Sequence, residues 1–155
     1  MRLWIAVAFF LARLSGPALA QANVNGWPPA EQQAAVRTPL SLDRLTRVER
    51  AIQALVALSK REPRYCEWVG GEASSIGAEV AALATHKEIG SAIEKGPLTP
   101  REFIEVTFAL VMAGMAVEAK RSGLAAPPPA PPAANLAFYA ANQERVDRVL
   151  ALDPC

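Results

Sequence analysis

A single histidine, His86, and two cysteines, Cys66 and Cys155, are all that this chain of 155 residues offers of the side chains that dominate metal binding and nucleophilic catalysis. A zinc or copper site draws on three or four such ligands, and neither H-E-x-x-H nor paired C-x-x-C is present. His86-x-Glu88 supplies at most half of a site, and a histidine in the first turn of a helix is expected to be solvated. Without C-x-x-C there is no redox dithiol of the thioredoxin type. Neither G-x-S-x-G nor S-x-x-K occurs, and the sole histidine would have to fill every base role. Gly70-Gly71 matches no phosphate-binding loop, and Ser74 and Ser75 behind it read as caps of a following helix. No metal, nucleotide or other cofactor is therefore expected.

An excess of one charge is also missing. The 16 Lys and Arg stand against 15 Asp and Glu, giving a formal net charge of +1, so nucleic acid is not an expected partner. Nor is any apolar run long enough to cross a membrane: Leu3 to Ala12 is ten residues before Arg13 interrupts it, against roughly 20 needed. With Arg2 ahead of that run and Ala18-Leu19-Ala20 behind the Ser15-Gly16-Pro17 break, residues 1–20 predict an export signal cleaved after Ala20. Gln21 follows, so there is no cysteine for a lipid anchor. Export to a periplasmic or extracellular space makes a Cys66–Cys155 disulfide the default expectation, although free thiols or a bond between chains are the alternatives. Closing a loop of this order stabilises by about 4 to 5 kcal/mol in the chain-entropy account.

What is present is mostly helix signal. Hydrophobic residues make up 52% of the chain, much of it alanine, which favours helix over strand. Residues 21–37 carry no steady period and predict a flexible leader, with Trp27-Pro28-Pro29 beginning to dock on a helical domain over 38–155. Ser41 is a plausible N-cap with Asp43 in the first turn, and Leu45, Val48, Ile52, Leu55 and Val56 recur on one face up to Glu62-Pro63. Tyr65, Cys66 and Trp68 predict a packed corner. A small, alanine-rich helix runs from Ser74 to Ala84, with a continuation capped by Thr85, interrupted at Gly90 and ended by Gly96-Pro97.

Thr99-Pro100-Arg101-Glu102 is a capping box with proline at the first helical position. The fifteen residues from Phe103 to Val117 hold one charged side chain, Glu105, and are apolar on every side, which marks the buried centre of a domain. Gly123 is placed to end this helix. A proline-rich linker over 125–134 predicts a stiff extended strap, read as a spacer in preference to a proline-recognition ligand. Asn135 is then the expected cap of a last helix striped by Leu136, Tyr139, Val146, Val149 and Leu150. The whole predicts an all-α domain of about four helices in bundle-like packing.

Two segments, Leu98-Thr99-Pro100-Arg101-Glu102-Phe103 leading into Ala109-Leu110 and Ala113, and Asn135-x-x-Phe138 leading into Glu144, resemble a group of small exported bacterial helical proteins. The resemblance implies a periplasmic setting and a helical fold. It transfers no activity and no catalytic residue.

Three residues stand out as candidates. Glu105 is either a buried charge needing a partner or a raised pKa, or part of a narrow stripe, with Met112 or Ala109, that reaches water or pairs with an arginine of another helix. Met112 and Met115, with Phe103 and Phe108, line either the core or a groove for an apolar ligand or partner helix. The expected function is accordingly a non-enzymatic binding or interaction module whose partner is a protein or small apolar ligand. The alternatives are a small carboxylate-dependent hydrolase using Glu105 with His86, and a structural or envelope-stress factor.

Overall fold

The computed structural model describes residues 26–69, 73–152 and 154–155. The export signal, its cleavage after Ala20 and the Gly70-Gly71 turn lie outside the described residues. All regular structure among the described residues is helical, in the order α1 (Pro29–Val36), α2 (Leu42–Ser59), α3 (Tyr65–Trp68), α4 (Ile76–Ala84), α5 (Lys87–Ile93), α6 (Pro100–Arg121) and α7 (Ala133–Leu150). Seven helices thus replace the expected four. The additional ones are short: α3 is a single turn, α4 and α5 divide at Thr85-His86, and α1 lies inside the segment expected to be a flexible leader. Pro28-Pro29 starts α1, and burial of Trp27, Gln32, Ala35 and Val36 holds it on the body.

Local capping explains where the longer elements begin. The Ser41 hydroxyl accepts from the Arg44 N–H, and the Ser75 hydroxyl from the Ala78 N–H, as the sequence predicts. At α6 the Glu102 N–H donates to Thr99 Oγ1 at 3.2 Å while the Thr99 N–H donates to Glu102 Oε2 at 2.8 Å, completing the capping box. At its other end the Leu124 N–H reaches the Ala119 carbonyl and the Gly123 N–H the Lys120 carbonyl. Gly123 takes φ +68°, so this is a Schellman ending on the residue the sequence marks. Two caps differ from expectation. His86 precedes α5 without a side-chain bond, because Thr85 turns its hydroxyl back to the Ala82 carbonyl. Gly90 lies inside α5 and does not interrupt it.

α6 is the axis of the packing. At about 100° per residue, Ile104, Phe108 and Met112 lie on one side of it and Val106, Leu110 and Ala113 on the opposite side. The first set joins Trp27, Ala35, Val36 and Ile76 in a core shared with α1 and α4. The second joins Leu45, Val48, Ile52, Leu55, Ile89, Ile93, Tyr139, Val146 and Val149 in a larger core shared with α2, α5 and α7. A helix apolar all round is therefore satisfied by covering it twice.

Gly96 lets α5 close onto α2: a Cβ there would collide with the Arg47 carbonyl and crowd Ala51. The proline-rich segment carries the chain from the end of α6 to α7 without helix. Asn135 is not the cap of α7, a place taken by Pro132. It is 3% exposed, and its amide nitrogen donates to the Val36 and Thr38 carbonyls while its oxygen accepts from the Leu40 N–H. Three backbone groups from a distant segment outcompete the local cap, because burial would otherwise leave them unbonded. Cys66 of α3 and Cys155 form a disulfide, with a sequence separation of 89 and 5.6 Å between their Cα atoms.

Candidate functional site

The titratable residues marked in the sequence do not assemble. Glu105 is half-buried, at 26% side-chain exposure, and pairs at 3.1 Å with Arg101 one turn earlier on the same helix. It is neither an unpaired buried charge nor the partner of an arginine from another helix. The stripe imagined to carry it to water is corrected as well, since Met112 and Ala109 are fully buried. Glu105 reaches solvent instead through a cleft of about 250 Å³ where α2 and α6 begin, lined also by Thr38, Asp43, Arg44, Arg47 and Glu102.

That cleft holds three carboxylates, Asp43, Glu102 and Glu105, against two guanidiniums, Arg44 and Arg47. Arg47 pairs with Asp43 at 2.9 Å, and Arg44 donates to the Pro39 carbonyl. Backbone and hydroxyl hydrogen bonds from Thr99, aided by the fields of Arg44 and Arg47, hold the Glu102 carboxyl below the ordinary carboxylate range. Of the cleft's polar side chains, Glu102 caps α6, Asp43 pairs with Arg47 and Glu105 with Arg101. His86 is elsewhere: its ring stacks on Trp68, with centroids 4.2 Å apart and planes within 8°. His86, stacked on Trp68 at the start of α5, does not line the cleft that Glu105 lines. Among the described residues no group of three His, Cys, Asp or Glu side chains is placed to hold a metal ion.

The methionines belong to the core and line no open groove. Met112 is fully buried with Trp27 and Phe108, whose rings lie 5.1 Å apart, and Met115 packs against the same cluster. Beside them, Glu79 of α4 has its carboxyl raised above the ordinary range by burial, partly offset by a hydrogen bond from the Trp27 side chain. On the opposite core, the Tyr139 hydroxyl donates to Asp147 Oδ1 at 2.5 Å, and burial with that hydrogen bond raises its pKa. Both groups are tied to their own neighbours, and neither lines the cleft beside Glu105.

The feature that sequence reasoning missed lies between α2 and α5. A groove of about 530 Å³ has Ala54, Ala57, Leu58 and Ala92 as its floor and Arg61, Lys87, Glu88, Ser91 and Lys95 along its rim. Small residues on two neighbouring helices make the depression, because alanine at 54, 57 and 92 leaves the space that a leucine would fill. Ala57 and every rim residue are exposed. The signal available beforehand was slight: two alanines three positions apart on α2, with basic residues near the ends of both helices.

No family model, no curated protein and no solved structure matches this chain. The resemblance carried by Leu98–Phe103 and by Asn135-x-x-Phe138 therefore gives no family assignment. The residues behind it serve the fold: Thr99 and Glu102 cap α6, and Asn135 clamps the segment after α1. Function has to be argued from this chain's own surface.

Proposed function

We propose that this protein is a non-enzymatic interaction module that acts outside the reducing cytosol and receives its partner in the α2–α5 groove. The observation that carries the reading is an apolar, alanine-floored groove left open on a chain in which Glu102, Glu105 and His86 are committed to a cap, an ion pair and a ring stack. An exposed apolar depression rimmed by polar residues is where soluble domains meet partners. The compartment follows from the disulfide, which persists under oxidising conditions, and from the export signal read over residues 1–20. No helix of the described residues is long and apolar enough to cross a membrane.

Site-specific photocrosslinking tests this. A crosslinker replacing Ala57 or Ser91 is expected to trap a partner in the producing cell's envelope fraction, while one replacing the exposed Ala140 of α7 traps none. Equal labelling from all three positions, or none from Ala57 and Ser91, removes the groove as the interaction surface.

A further inference from the structure

The rim of the α2–α5 groove is predominantly cationic. Across the chain cations and anions nearly balance, at 16 against 15. Several charges are paired elsewhere, as in Asp43–Arg47, Arg101–Glu105, Glu118–Arg121, Glu49–Arg145 and Glu144–Arg148. On the groove, three cations, Arg61, Lys87 and Lys95, face one anion, Glu88. None of the four forms an ion pair among the described residues, and Arg61 spends its Nε–H on the Ala57 carbonyl behind it.

The cations also have an order. Gly96, just past α5, sits on the Arg47 carbonyl in the first half of α2, while the groove runs along the second half of α2, from Ala54 to Arg61. α5 is therefore antiparallel to α2, which sets Arg61 and Lys87 at one end of the groove and Lys95 at the other. Lys87 opens α5 and Lys95 follows its last residue, Ile93, so the two cations flank a helix of seven residues, about two turns. A floor of alanine between them admits the close approach of a helical backbone. The exposed rim leaves the depression too open to bury most of a small ligand's surface, which small-molecule sites usually do.

Resting on the reading above, we propose that the groove's occupant is an acidic amphipathic helix. The helix lays an apolar stripe on Ala54, Ala57, Leu58 and Ala92 and sets carboxylates about two turns apart against Arg61 with Lys87 at one end and Lys95 at the other. Apolar burial supplies the affinity, and the charges set the sign and direction of docking.

The test is a titration of the full oxidised protein followed by amide NMR shifts. The probes are a synthetic leucine-striped peptide with glutamates two turns apart, its Glu→Gln and Glu→Lys counterparts, and phosphatidylglycerol vesicles. The glutamate peptide is expected to shift Ala54, Ala57, Ser91 and Ala92. The triple variant Arg61→Glu, Lys87→Glu, Lys95→Glu should bind it about tenfold more weakly and gain affinity for the lysine peptide. All three positions are exposed, and an unchanged circular dichroism spectrum certifies the fold. Binding of the glutamine peptide within about twofold of the glutamate peptide overturns the charge selection. Preference for vesicles, or silence at the groove with every probe, overturns the occupant. If any of these occurs while Ala57 still crosslinks to a partner, only the occupant fails; if the crosslinks vanish too, the interaction reading fails with it.

Discussion

On one side of α6, Val106, Leu110 and Ala113 meet α2, α5 and α7, whereas on the other Ile104, Phe108 and Met112 meet Trp27, α1 and α4. The first side is covered chiefly by two helices of 18 residues, each carrying its own apolar face, and is fastened by the Cys66–Cys155 disulfide. The second is covered by helices of eight and nine residues, below the length at which isolated helices hold in water. Individual anchors compensate: the Glu31 carboxylate accepts from the Ile76 N–H at 2.6 Å, and the Gln32 amide donates to the Trp27 carbonyl at 2.8 Å. Periodic burial and point anchoring thus stabilise two halves of one core.

The largest expected effect breaks the covalent fastening. Reduction, or Cys66→Ser, should lower stability by about 4 to 5 kcal/mol, because the unfolded chain regains the freedom of a long closed loop. An unchanged urea midpoint after reduction would remove that part of the contrast. Trp27→Ala follows at about 4 kcal/mol, as the ring fills the centre of the second core. Native-state hydrogen exchange should then quicken in α1 and α4 more than in α2; uniform acceleration would mean that the two sides open as one.

Asn135→Ala acts between the two sides, since it strips partners from buried backbone at Val36, Thr38 and Leu40. A loss of about 2 to 3 kcal/mol is expected in urea unfolding, and Asn135→Asp should not restore it, because a carboxylate cannot donate to two carbonyls.

The smallest effect separates the sides by pH. Burial raises the Glu79 carboxyl above its ordinary 4.5, so its contribution is full below that value and is lost as pH rises through the higher folded one. Glu102 is held below 4.5 by Thr99, so its contribution is present above that value and is lost as pH falls through the lower folded one. Stability profiles of Glu79→Gln and Glu102→Gln should differ from the parent with opposite slopes. Parallel profiles would contradict the assigned environments.

The same division governs how much was legible in the sequence. Ser41, Ser75, Thr99 and Gly123 are readable because a cap bonds within a few residues of itself, and the stripe of α2 because a regular period needs no knowledge of the partner. α1 was read as a leader because its eight residues, rich in Gln and Ala, show no period, and its burial depends on residues from α4, α6 and α7. Asn135 was assigned to the nearer task, capping, when its partners lie 95 to 99 residues away. For Glu105 the deciding neighbour, Arg101, stood four positions upstream, at the spacing that pairs side chains on a helix. The groove was hidden for a different reason: exposed alanines and lysines are ordinary on any helix and acquire meaning only when Gly96 lays α5 along α2.

The Asn135 clamp also bears on the order in which this protein matures. The carbonyls of Val36 and Thr38 and the amide of Leu40 emerge early in translation, yet the side chain that satisfies them is made nearly a hundred residues later. Until α7 arrives, those three backbone groups lack their side-chain partner, even though Trp27, Ala35 and Val36 can already pack against α4 and α6.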